Sequence, residues 1–136
     1  MAKKNYPFPE TEIGSNFSSG ISTHVDWEPR TNIIQTGDIL TIEVELPGVN
    51  QGDVSIQLQN DTQLIIRGTK HQPRLNHAAE ATATYFLFER EFGSFYKRIV
   101  VDFSMDEQTV ESSMKDGVLT VKISRKKAED VSVQIK

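Results

Sequence analysis

The stretch Met114-Lys115-Asp116-Gly117-Val118-Leu119-Thr120-Val121-Lys122-Ile123 decides how this chain folds, together with Leu46-Pro47-Gly48 upstream. Asp116-Gly117 is the residue pair most tolerant of positive φ, and it stands directly before an alternating apolar run. Leu46-Pro47-Gly48 works the other way: proline ends a strand and glycine turns the chain. Both segments join a turn to a β-strand, and neither holds a reactive side chain. A sequence whose strongest signals are strand punctuation points to binding rather than catalysis.

Working outward, the period stays at two. From Asp38, Leu40, Ile42, Val44 and Leu46 share one face, with Thr41, Glu43 and Glu45 on the other, as in a half-buried antiparallel strand. Val54, Ile56 and Leu58 alternate with Ser55, Gln57 and Gln59 in a second strand, and Asn60-Asp61 turns the chain into a third at Leu64–Gly68. The segments 85–92 and 95–101 are rich in aromatic and β-branched residues and read as strands broken at Gly93-Ser94. Val110, Ser112 and Met114 share a face of a short strand, and Val118–Ser124 closes the set. Ser104-Met105-Asp106-Glu107 has the form of a helix capping box, so a turn of helix over 105–110 competes there. The expected fold is all-β, an immunoglobulin-like antiparallel β-sandwich over residues 27–124.

A chain of 136 residues suits one such domain with short extensions. Residues 1–26 form a variable arm too rich in Pro, Gly, Ser and Thr for regular structure, yet Phe8, Ile13, Phe17 and Ile21 are scattered through it. Residues 69–84 make a loop longer than compact domains usually carry. Its end, Ala81-Thr82-Ala83-Thr84, can extend as an edge strand and reach a second subunit, since exchange of an element is a route to dimers. The extension 125–136 ends in Val131-Ser132-Val133-Gln134-Ile135-Lys136, which has the form of a peptide that adds to a sheet edge.

Composition excludes several classes. The charged fraction is 25%, the hydrophobic fraction 37% and the net charge −4, which argues against a general nucleic-acid binder. Without cysteine there is no disulfide framework, thiol catalysis or Cys-ligated zinc. His24, His71 and His77 do not follow a zinc spacing, Glu89 and Glu91 read as surface charge beside Arg90, and nucleotide or hydrolase fingerprints are missing. No apolar run approaches the roughly 20 residues of a membrane span, and no apolar leader follows Lys3-Lys4, so the expectation is a cytoplasmic protein. The sequons at Asn16 and Asn60 then read as chance matches.

The pieces together resemble the small heat-shock proteins, the α-crystallin-domain chaperones, and within them the bacterial and plant branch. The resemblance rests on Trp27-Glu28-Pro29-Arg30-Thr31-Asn32-Ile33, Leu46-Pro47-Gly48-Val49, Glu89-Arg90-Glu91-Phe92-Gly93-Ser94-Phe95, Asp116-Gly117-Val118-Leu119 and Val133-Gln134-Ile135, in that order. It implies an ATP-independent holdase without cofactor or enzymatic activity. Such a protein binds unfolding clients, assembles from homodimers into a larger homo-oligomer, and hands clients to ATP-dependent chaperones. Phe8, Ile13, Phe17 and Ile21 are then the client contacts. Leu75, Ala81, Thr82, Ala83, Thr84, Arg90, Lys97 and Arg98 form the dimer interface. Val131, Val133 and Ile135 supply the C-terminal anchor, and Val54, Ile56, Leu58, Val110 and Met114 line the groove that accepts it. The chain departs from the family pattern at Lys97, Asp102, Ser112 and Ser124, and a lysine at 97 cannot reproduce a bidentate arginine fork. A CS-domain co-chaperone, which shares a similar sandwich, is the alternative; it lacks the long loop and the anchor. An immunoglobulin-like adhesion module is the third, without the Cys-Trp-Cys core to support it.

Overall fold

The structure is a computed structural model; it describes residues 25–73, 75–76, 82–128 and 132–136. The strands among them are β1 (Thr31–Thr36), β2 (Ile39–Glu45), β3 (Val54–Gln59), β4 (Gln63–Lys70), β5 (Gly93–Val100), β6 (Met105–Lys115) and β7 (Val118–Arg125). A single 3-10 turn at Gln51–Asp53 leads into β3. They form a four-stranded antiparallel sheet in the order β1-β2-β7-β6 and a three-stranded sheet in the order β3-β4-β5. This is the β-sandwich the alternation implies.

Parity puts the core between the sheets. Leu40, Ile42 and Val44 of β2 and Leu119, Val121 and Ile123 of β7 meet Leu64 and Ile66 of β4 and Phe95 and Ile99 of β5. All are buried, and together with Leu46, Val101 and Met105 they make one apolar cluster. Burying such a side chain contributes about 1.5–3 kcal/mol. The two motifs that opened the sequence reading meet in space. The Leu46 N–H donates to the Gly117 carbonyl at 2.7 Å, and a Cβ on Gly117 would stand 3.1 Å from the Pro47 Cα. Asp116 (φ 52) and Gly117 (φ 76) both occupy the left-handed region of the two-residue β6–β7 turn.

Four expectations are corrected. First, β1 lies before the first strand expected. Its residues TNIIQT place Ile33 and Ile34 side by side, so no alternation announces it; only its pairing with β2 does. Second, residues 85–92 belong to no strand, and Gly93 (φ 105) begins β5 rather than breaking two strands apart. Third, the capping-box segment is strand. The Gln108 N–H donates to the Asp106 carboxylate and the Thr109 hydroxyl to the Asp106 carbonyl, while the β6–β7 register shifts between Asp106 and Glu111. The chemistry that suggested a cap makes an Asx turn and an irregularity in the strand instead. Fourth, Thr69 and Lys70 pair with Ser94 and Gly93 inside the sheet, so the connection expected over 69–84 starts at His71 and runs to Phe92.

Candidate binding grooves and family

The edge strands of the two sheets, β3 and β6, run beside each other along one side of the sandwich. Val54, Ile56 and Leu58 on β3 and Val110 and Met114 on β6 are half-buried and pack on the core. A cavity of about 280 Å³ opens there, lined by Val54, Ile56 and Met114 with Gln51, Ser112, Ser113 and Leu119. Leu58 and Val110 lie outside that lining. Gln51 was not foreseen, because a polar residue in a 3-10 turn has no periodicity to reveal it. An apolar floor between two strand edges can take alternate side chains into the seam while unpaired backbone groups bond an added chain.

The extension that could supply such a chain leaves from the far end of β7. Its first residues are tied down. The Arg125 N–H donates to the Asp38 carbonyl and the Lys126 N–H to the Ser104 carbonyl, both at 2.8 Å. The Arg125 guanidinium lies 4.4 Å from the centre of the Phe103 ring, and the Lys126 ammonium is 3.8 Å from the Asp61 carboxylate. Val133 and Ile135 are exposed, Ile135 to 99%. Val131 lies outside the described residues.

A second, polar groove of about 1000 Å³ opens between the start of β1 and the end of the 71–92 connection. Glu28, Glu43, Glu45, Glu89 and Glu91 face Arg30, Lys70, Arg90 and Lys97 there. Lys97 is only 4% exposed, and its ammonium donates to the Glu28 carboxylate at 2.9 Å. Lys70 is also buried, its ammonium 5.4 Å from the centre of Trp27 and 5.8 Å from that of Phe92. Cation–π attraction keeps a charge there at modest cost.

The residues expected at a dimer interface are not one patch. Lys97 points inward with Phe95 and Ile99, whereas Arg98 points outward and donates to Gln63 at 3.2 Å. Arg90 stands over Phe92 at 4.9 Å. Leu75, Thr82, Ala83 and Thr84 are exposed, and Ala81 lies outside the described residues. Sequence reasoning missed the most exposed apolar run. Tyr85, Phe86, Leu87 and Phe88 all stand out of the core, Phe86 at 97% exposure, with Tyr85 and Phe88 in an edge-to-face pair. Their aromatic pattern suggested a strand, but this chain's described residues offer them none to pair with.

The expected client contacts Phe8, Ile13, Phe17 and Ile21 lie outside the described residues. Among the described residues no three His, Cys, Asp or Glu side chains are grouped to hold a metal ion. His71 is paired with Asp53 at 3.4 Å. No helix among them is long and apolar enough to cross a membrane.

The model of the Hsp20/alpha crystallin family matches residues 32–136. This chain belongs to that family. Its curated relatives include small heat shock protein C2 of Rickettsia felis, 32% identical over 110 residues that cover 81% of this chain and 68% of the relative. Small heat shock protein C4 of the same organism is 35% identical over 98 residues, covering 72% of this chain and 57% of the relative. A 17.6 kDa class I heat shock protein of Arabidopsis thaliana is 28% identical over 131 residues, covering 96% and 78%. Among solved structures, heat shock protein 16.0 from Schizosaccharomyces pombe superposes with a TM-score of 0.64 at 27% identity, over 81% of this chain and 97% of that one. A small heat-shock protein from Xylella fastidiosa gives 0.64 at 26% identity, over 82% and 99%. The two-sheet sandwich is thus an α-crystallin domain, and the resemblance read from the motifs holds at the level of family and fold.

Proposed function

We propose that this small heat-shock protein is an ATP-independent holdase that binds unfolding proteins and suppresses their aggregation, working as an oligomer built from dimers. The observation that carries the reading is apolar surface left outside the core in a member of a chaperone family: Tyr85–Phe88 on one side, Val133 and Ile135 on the other. Each has a matching receptor elsewhere in the chain. Strand β1 is an edge of the four-stranded sheet, and residues 83–88 are strand-competent but belong to no strand among the described residues. In a second copy each would satisfy the other, so the exchanged element extends past 84 to include the exposed aromatics. The polar groove beside β1 would then take Arg90 and the flanking glutamates. Val133 and Ile135 fit the β3–β6 seam by size and alternation, and Val131-x-Val133 is the competing register. The arm residues Phe8, Ile13, Phe17 and Ile21 present apolar groups to clients without a fixed pocket. Location in the cytoplasm and hand-over to ATP-dependent chaperones complete the proposal; a cysteine-free composition supports the first.

The test is solution mass by light scattering on the intact chain and on one ending before Val131, paired with suppression of a heat-aggregating client without ATP. A large particle that protects the client and falls to dimers on truncation is expected. A monomer in both forms, without protection, would replace this reading with the CS-domain adaptor.

A further inference from the structure

The outer face of the three-stranded sheet, which points away from the four-stranded one, holds two side chains buried as deeply as core residues. Ile65 is 3% exposed and Tyr96 9%, yet neither belongs to the apolar cluster between the sheets. Parity explains why: on β4 and β5, Leu64, Ile66, Phe95 and Ile99 face inward, so Ile65, Arg67, Ser94, Tyr96 and Arg98 face outward. The Tyr96 hydroxyl is fully buried and has no hydrogen-bond partner among the described residues. A buried hydroxyl left so costs about 1–3 kcal/mol, and native folds seldom tolerate it.

The path of the chain shows what can reach that face. Trp27 is tucked on the inner side, edge-to-face with Phe95 at 5.5 Å, its indole N–H donating to the Gly93 carbonyl. One residue earlier, the Asp26 carboxylate accepts the Ser94 N–H at 2.7 Å and lies 3.1 Å from the Ser94 hydroxyl, on the outward side of β5. The chain therefore crosses the β5 edge between Trp27 and Asp26, which leaves Asp26 where Ser94 opens onto the outer face. Val25 is half-buried, and Tyr96 stands one outward position beyond Ser94. Five residues back from Asp26 is Ile21, within about 16–18 Å of extended reach, enough to arrive at Ile65. The other long segment at this end is the 71–92 connection, but its described residues up to Glu91 are exposed rather than packed down.

We propose that the outer face of β3-β4-β5 is the docking site of the chain's own residues 17–25, with Ile21 seated on Ile65 and Tyr96 and a main-chain carbonyl of the segment accepting the Tyr96 hydroxyl. The proposal does not depend on chaperone activity; a chain that protects no client could still dock its arm this way. If it also holds clients, Phe17 and Ile21 serve two masters, and docking sets how much of the arm is free to bind.

The absence of cysteine allows a direct test on the full-length chain. Ser22→Cys is combined with Arg67→Cys, an exposed outward position opposite Tyr96, or with Thr41→Cys on the outer face of the other sheet as control. Disulfide formation under mild oxidation is followed by peptide mapping on a mixture of isotope-labelled and unlabelled protein, which separates bonds within a chain from bonds between chains. The expected result is an intrachain 22–67 disulfide forming at least roughly tenfold faster than 22–41, as a locally raised effective concentration requires. Adding Ile21→Ser should bring its rate down to the control. Equal rates for the two pairs would overturn the proposal. So would a 22–67 bond found only between chains, which would put a second copy's arm on this face. A Leu75→Cys/Arg67→Cys pair that traps while 22–67 does not would assign the face to the connection instead.

Discussion

Lys97 is half of an ion pair whose two partners are unequally exposed, and that asymmetry sets what each substitution does. The Lys97 side chain is 5% exposed while that of Glu28 is 49% exposed. Removing Glu28 strands a buried ammonium, whereas removing Lys97 leaves a carboxylate that water can reach. Glu28→Ala should therefore cost about 2–4 kcal/mol and Lys97→Met under about 1.5 kcal/mol, read as shifts in the urea midpoint. Equal losses would mean that the pair itself, not the buried charge, holds the site. Two glycines are as demanding. A Cβ on Gly68 would overlap the Asp53 carbonyl oxygen and stand 2.8 Å from the Phe95 ring, and one on Gly93 would overlap the Asp26 carboxylate at a φ of 105. Gly68→Ala and Gly93→Ala should each cost about 1–3 kcal/mol by overpacking, with a lower thermal midpoint as the readout. Neither requirement can be read from the sequence, where both glycines look like ordinary punctuation.

At the scale of elements, legibility follows whether an element's partner is local. The β6–β7 hairpin was readable because Asp116-Gly117 states its own turn geometry and the flanking alternation states the faces. Gly117→Ala there should cost about 1–2 kcal/mol, as positive φ and contact with Pro47 both penalise a Cβ; a neutral result by chemical denaturation would show the turn relaxing. Strand β1 was invisible because Thr31 and Gln35 on its inward face are polar while Ile34 faces outward, so that only pairing with β2 announces it. The helix suggested at 105–110 failed for the same reason in reverse. The Asp106 carboxylate does bond a nearby N–H, but pairing with β7 and burial of Met105 outweigh one turn of helix. Residues 85–88 show the limit of β-propensity, which describes fit to a pleated surface and cannot create the neighbouring strand.

For the whole molecule, the proposed assembly makes the seam between β3 and β6 the seat of a C-terminal extension. Val133→Ala with Ile135→Ala should reduce the particle to dimers in light scattering, since each loses apolar contact worth about 1–2 kcal/mol and the loss repeats at every junction. An unchanged mass would remove the anchor from the account. Deleting residues 1–25 should weaken client protection more than it lowers the thermal midpoint of the sandwich, measured by aggregation scattering beside calorimetry. The amino-acid sequence by itself determined the all-β class, the strands of period two, the turns at Asn60-Asp61 and Asp116-Gly117, and the family. These follow from alternation and local backbone preference, which act over a few residues. It also marked Val54, Ile56 and Met114, which line the cavity between β3 and β6, because half-buried edge strands still alternate. Only the tertiary structure decided that Lys97 turns inward to Glu28 while Arg98 turns out, that Asp26 fastens the chain to Ser94, and that Tyr85–Phe88 stand uncovered. Those outcomes depend on which segments, distant in sequence, come to lie side by side, and no local preference encodes that.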